Sequence, residues 1–327
     1  MRAHPDDARR VLVEWTVISR QWKLLHVELC RSRIEKLVRQ LGIRSKPATV
    51  RVLRAVALVE DFRDERNKRL GIIYELPPGI STAVSPVSLQ DLLPVNAEGL
   101  SPLGEPLLSA RFRLAYVLAT ALHELHRVGW LHKELSSANI VFLLPTARPL
   151  PSSETHQPPS PDLAQPYITG FGYARPDTEK VISVPTGGAL DPNDLFRHPS
   201  VRRPHSAPEQ EGQAIPRFRR RFDVYSFGLI LLEIGLWDRI ATFERASDRD
   251  DPHAFAARLR RIAAQHLGHR MGAAYRDVVI GCLGTSETDR LGLPAVDDED
   301  AEEELMAFYF GVVKQLGGCQ CGLQTAH

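Results

Sequence analysis

From Leu107 to Leu144 three local patterns follow one another without a break, and they constrain the fold more than any other stretch. Leu107, Leu108, Arg111, Leu114, Ala115, Leu118, Leu122 and Leu125 recur at helical spacing as far as Arg127. Gly129-Trp130-Leu131 then leads into a polar loop, His132-Lys133-Glu134-Leu135-Ser136-Ser137-Ala138-Asn139. Ile140 to Leu144 is an apolar run of strand length. A histidine, an acid two residues later and an asparagine five residues after the acid thus sit in a loop held at both ends by regular structure.

The chain before this stretch predicts a small strand-rich unit. Val11-Leu12-Val13-Glu14-Trp15 is β-branched and apolar and reads as a strand. Val27, Cys30, Ile34, Leu37, Val38 and Leu41 predict a helix closed by Gly42. Val50 to Val59 and Leu70 to Leu76 predict two further strands, and Pro77-Pro78-Gly79 ends the set. Ser88 caps a short helix that runs to Leu93.

Beyond the loop, Pro145 to Pro166 contains seven prolines and predicts a disordered insertion, a solvated loop rather than a dock for an SH3-like partner. Tyr167-Ile168-Thr169 resumes a strand that ends in Gly170-Phe171-Gly172. Leu229 to Leu236 is apolar on most faces, as a buried central helix is. Phe255 to Leu267, Tyr275 to Leu283 and Glu302 to Leu316 predict three more helices. The acidic run Asp297 to Glu304 places charge at the last helix's N-terminus, where the dipole favours it.

Composition excludes several classes. Apolar residues make up 43% of the 327 and charged residues 25%, an ordinary globular balance. Forty-one basic and 40 acidic residues leave +1, so no global field points to nucleic acid or a membrane surface. No apolar run approaches the ~20 residues that span a bilayer, and the first residues hold no apolar signal core, which predicts a cytoplasmic protein. Cys30 and Cys282 lie in helical apolar patterns and predict buried thiols. Cys319-Gln320-Cys321 lacks further ligands, and residues 319–327 predict a flexible tail.

Four motifs occur in one order: the His132–Asn139 loop, Gly170-Phe171-Gly172, Ala207-Pro208-Glu209, and Asp223-Val224-Tyr225-Ser226-Phe227-Gly228 ahead of the apolar helix. Their order and spacing resemble the protein kinase fold over roughly residues 11–316, the loop matching H-R-D-L-x-x-x-N. The chain is similar in particular to fungal kinase-like domains that accompany prion-inhibition (HeLo-type) modules, through Val11 to Trp15, Leu231 to Trp237 and Phe196-Arg197-His198-Pro199. The resemblance implies an α+β, two-lobed fold: a truncated N-lobe over 1–78 and a helical C-lobe over 79–318, with an activation-segment-like loop at 173–206. Tyr74, Glu75 and Leu76 would form the hinge beside a bound nucleotide.

Kinase catalysis is positioning plus electrostatics, with metals neutralising the triphosphate while a base orients the hydroxyl. The resemblance puts Glu134 at the base, Lys133 in place of the loop arginine, Ser136 in place of the loop lysine, and Asn139 at a magnesium ligand. Gly170 stands where the metal-binding aspartate belongs. The first glycine is Gly42, so no glycine-rich loop precedes the first strand. The ten residues before Val11 fall short of two strands of ~5 residues each plus their turn. The phosphate-pairing lysine belongs at Thr16 or its neighbours, yet no lysine occurs before Lys23.

Scaffold positions match better. Asp223 would cap the loop backbone, Glu209 would pair with Arg290, and His132 would stack on Phe171. The expectation is a pseudokinase that binds a protein partner, with no metal, no nucleic acid, and no cofactor beyond weak ATP binding. Glu134 is expected to line an open cleft with nothing to act on. Two alternatives stand beside it. One is an atypical kinase that moves phosphate from ATP to Ser/Thr with Glu134 and Asn139. The other is a nucleotide-sensing or small-molecule kinase-like protein that keeps the cleft without the chemistry.

Overall fold

The computed structural model describes residues 11–18, 22, 24–64, 67–81, 84–94, 104–146, 160–178, 192–202, 217–284 and 301–324. Lys23, Ala207, Pro208, Glu209, Arg290 and much of 145–166 and 173–206 lie outside the described residues. The fold is mixed α+β, with short antiparallel strands and a larger helical part.

Strands β1 (Val11–Val17), β2 (Arg54–Asp61) and β3 (Arg69–Glu75) form one antiparallel sheet in the order β1-β3-β2. Alternation along β1 turns Leu12, Glu14 and Thr16 to one face and Val11, Val13, Trp15 and Val17 to the other. Helix α1 (Leu24–Leu41) covers the first face, and its Cys30, Ile34, Leu37 and Leu41 join Leu70, Ile72 and Tyr74 in the core. The second strand starts at Arg54, not at Val50. Arg51 takes a left-handed φ of 46° and its carbonyl accepts from Ile168 N at 2.9 Å, which ends strand geometry there. Val52 and Leu53 are apolar because they are buried, without pairing in the sheet. Lys46 Nζ donates to the carbonyls of Leu41, Val52 and Leu53 at 2.9, 3.1 and 3.0 Å, tying the end of α1 to the approach to β2.

Strand β4 (Val87–Ser88) enters α2 (Leu89–Leu92), where Ser88 and Asp91 form a reciprocal capping box. Helix α3 (Leu108–Arg127) buries ten residues and delivers the chain to β5 (Trp130–Leu131). After the polar loop, β6 (Ile140–Phe142) sits between β4 and β7 (Pro166–Ile168), and β5 pairs with β8 (Arg175–Pro176). Helix α4 (Arg220–Leu236) is buried at every position from Phe222 to Leu236, which explains its lack of a polar face.

The two helices expected around Gly272 are present as the two halves of α5 (Pro252–Cys282), which breaks at that glycine (φ 81°, ψ 164°). At the C-terminal end, α6 (Ala301–Phe308) passes through a π-type turn at Tyr309–Val313 into α7 (Lys314–Gln324). The expected flexible tail from residue 319 is therefore helical as far as Gln324. Gly317 lets α7 close onto the Tyr116 ring of α3, and the half-buried Cys319 packs against the core. Among the described residues, no helix is long and apolar enough to cross a membrane.

Candidate functional site

The polar loop is fixed from below by α4. Asp223, in that helix's first turn and fully buried, accepts from His132 N and Lys133 N at 2.8 Å each. His126 Nε2 lies 3.2 Å from the same carboxylate. These bonds hold Lys133 at φ 75°, a left-handed conformation that a non-glycine residue adopts only when its surroundings enforce it. Lys133 is 5% exposed, and its Nζ finds no hydrogen-bond partner. Burial first, then the Arg175 and Arg33 charges, push its amine down to about 7.

His132 is fully buried, its ring 4.8 Å from that of Phe171. Its Nε2 faces the Thr169 carbonyl at 2.8 Å, while Nδ1 accepts from Glu134 N at 3.3 Å. That pair of contacts assigns the proton to Nε2, and burial lowers the ring's basicity. The histidine is a packed neutral strut. Asn139 is equally committed: its Nδ2 donates to the Glu134 carbonyl at 2.7 Å, and its own carbonyl accepts from Thr169 N at 2.9 Å. Ser136 is fully buried.

Glu134 does not line an open cleft with nothing opposite. Its carboxylate lies 3.7 Å from Arg197 Nη2, and the two side chains are only 13% and 10% exposed. Arg197 also meets Asp194 at 3.1 Å, and Asp194 meets Arg202 at 2.7 Å. Glu134 is thus tied to the Phe196-Arg197-His198-Pro199 segment.

The turn at Gly170-Phe171-Gly172 is held by a residue that motif reading passes over. Glu14 projects from β1 and accepts from Gly170 N at 2.9 Å and Phe171 N at 2.6 Å. The Tyr74 hydroxyl donates to it at 3.2 Å. Burial raises the Glu14 carboxyl, and the bonds from Gly170, Phe171 and Tyr74 pull the other way. Gly170 sits at φ 85°, and a Cβ there would fall inside the Asn139 carboxamide. A Cβ at Gly172 would fall on the Thr16 hydroxyl, and Cys30 Sγ faces the Gly172 carbonyl at 3.4 Å.

The structure brings His132, Asn139, Phe171 and Asp223 into one cluster. It places the Tyr74 hydroxyl on Glu14, turns Glu75 toward Arg54, and leaves Leu76 at a small cleft of about 210 Å³ shared with Leu12, Ile80 and Leu143. That volume is below the ~300 Å³ at which small-molecule sites begin. The signal for Glu14 is available in the sequence: it is the lone acid in an apolar strand, on the same face as Leu12 and Thr16, so it has to meet a donor inside. The search there for a lysine misses it. Among the described residues no three His, Cys, Asp or Glu side chains gather as a metal site.

No curated protein matches the chain. A family model matches residues 73–316, a span that opens in β3, holds the loop, the Gly170–Gly172 turn and Asp223, and leaves Glu14 and α1 outside it. The match covers well over half of the chain, which therefore belongs to the DUF7580 family, a domain of unknown function.

Proposed function

We propose that this chain is a protein kinase-like, two-lobed module whose nucleotide and metal positions are closed from within, and that it acts as a pseudokinase, by binding a protein partner. The observation that carries the reading is the Glu14 carboxylate on the amides of Gly170 and Phe171. In a working site that region attracts phosphate and cations. Here an internal anion already takes the donors, and it repels a triphosphate across a partly buried gap, where charges interact more strongly than in water. Gly170 adds a second block, because it has neither a carboxylate for a divalent cation nor space to gain one.

The Glu134–Arg197 pair supports the same reading against the atypical-kinase alternative. A base acts only on a hydroxyl and phosphate that are already positioned, and here Glu134 Oε1 faces the Arg197 guanidinium at 3.7 Å. The test is a thermal-shift series with ATP, with and without Mg²⁺ or Mn²⁺, alongside radiolabelled phosphate transfer to a generic acceptor. The expected result is no metal-dependent shift and no transfer. Transfer that disappears in Glu134→Gln would replace this reading with an active kinase; a shift with ATP alone would favour a nucleotide sensor.

A further inference from the structure

The sheet has two faces with opposite fates. Leu12, Leu58, Leu70, Ile72 and Tyr74 join the core under α1. On the other face Val13, Trp15, Val17, Val59 and Ile73 lie outside every core cluster, and no described element packs over them. An antiparallel sheet that turns one face to water normally carries polar residues there. Here Val11 is 44% exposed, Trp15 37% and Val17 54%. Trp15 lies flat across Gly71, where a Cβ would stand 2.8 Å from its ring. Arg69 Cζ stands 4.2 Å from the centroid of the same ring.

The apolar strip is framed by charge at both ends. Arg54 pairs with Glu75 at one end; Arg69 and Arg63 pair with Asp61 at 2.9 and 2.8 Å at the other. An apolar centre within a polar rim is the anatomy of a protein interface. Seven-residue strands at ~3.3 Å per residue make the face about 23 Å long, and two strand spacings of ~4.8 Å make it about 10 Å across. Even with side-chain width this footprint is well under the ~800 Å² per partner of a stable interface between two proteins, so two copies meeting face to face would be too small. It does fit one α-helix: about 15 residues at 1.5 Å each, 10–12 Å wide.

We infer that this sheet face docks one amphipathic helix of a partner protein, about four turns long, with a bulky aliphatic stripe over Trp15 and both signs of charge along its flanks to meet the paired corners. The inference concerns the outer face of the sheet and holds whether or not the cleft on the other side takes nucleotide.

The test selects a displayed library of 18-residue peptides against the full 327-residue chain. Half the library carries apolar residues at i, i+3, i+4 and i+7; half alternates apolar and polar. Trp15→Lys, Val17→Glu and Val13→Lys serve as counter-targets, with melting curves to show which variants fold; the exposed Val17 keeps the test open if Trp15→Lys does not. The expected result is enrichment of the helical pattern, with binding at least tenfold weaker on Val17→Glu. Enrichment of alternating peptides would mean strand pairing along β1 and would overturn the inference. So would helical peptides indifferent to all three substitutions, or no enrichment at all.

Discussion

Asp223 and Glu14 each hold two consecutive backbone amides with one carboxylate, and the two settings differ in every other respect. Asp223 binds His132 N and Lys133 N from the first turn of a fully buried helix, where the helix dipole favours a negative charge. Glu14 binds Gly170 N and Phe171 N from an edge strand that has no such dipole. The helix supports the first carboxylate; the second has no such support, and burial raises its carboxyl against the pull of the amides and Tyr74. One clamp keeps the scaffold in shape. The other ties the edge strand β1 to the Gly170-Phe171-Gly172 turn. The same local chemistry therefore fixes a loop from a helix in one region and a turn from a strand in the other.

The comparison breaks hardest at Asp223. Asp223→Ala orphans two buried amides and leaves Lys133 at φ 75° without the bonds that hold it there. At ~1–3 kcal/mol per unpaired buried group the loss is about 3–5 kcal/mol. A fall in melting temperature of about 4–7 °C is expected, against a much smaller fall for Glu134→Ala. Equal losses in the two variants would remove Asp223's special standing.

A second effect tests what the Asp223 clamp tolerates. Lys133 is lowered to about 7 in the fold by burial and by neighbouring arginines, against 10.5 for a free lysine. The unfolded chain therefore binds the extra proton between these values, and this residue's contribution to stability rises with pH from about 7 toward 10.5. Below pH 7 the buried charge costs its full amount. At ~1.4 kcal/mol per pH unit, Lys133→Met is expected to stabilise the protein by about 2–4 kcal/mol at pH 6, with the gap narrowing as pH rises to 9. Urea unfolding at three pH values reads this directly; a pH-independent gap would mean that the amine is charged in the fold throughout.

Much of the scaffold is legible in the sequence because its signals are local. The helical spacing of Leu107 to Leu125, the loop from His132 to Asn139 and the apolar helix after Asp223 each declare themselves within a few turns of chain. Glu14 does not, because its partners are 156 and 157 residues away and nothing near it names them. Arg197 is hidden in the same way: only the folded chain sets it opposite Glu134. Val50 to Leu53 mislead for a different reason, since burial and strand pairing favour the same apolar residues. The Gly-rich composition at 317–318 suggests a loose tail, yet small residues also let a helix approach its neighbour closely, and here they do.

Glycine 170 sharpens the contrast from the closed side. Adding an aspartate there is the obvious repair for a metal site, but Gly170→Asp is expected to cost about 2–4 kcal/mol, from the left-handed backbone and the collision with Asn139. No magnesium binding should appear by calorimetry in the folded fraction. A stable variant with a metal-dependent heat would show that Asn139 swings aside and that the closure is shallow.

The smallest effect isolates the closure itself. In Glu14→Ala the amides of Gly170 and Phe171 and the Tyr74 hydroxyl lose their common acceptor. Consecutive amides turned to one point form a natural anion site, and inorganic phosphate is small enough to take the place of the missing carboxylate. At a phosphate concentration several times its dissociation constant, linkage gives about 1 kcal/mol, or roughly 1–2 °C in melting temperature. Chloride at matched ionic strength controls for screening. The wild type should not respond, because Glu14 already occupies the amides. Asp223→Ala, if it folds, should not respond either, since its orphaned amides lie beneath α4 with no path for solvent. Equal responses from wild type and Glu14→Ala would mean that phosphate binds elsewhere and that Glu14 blocks nothing; a response confined to Glu14→Ala would identify the carboxylate as the molecule's own resident anion.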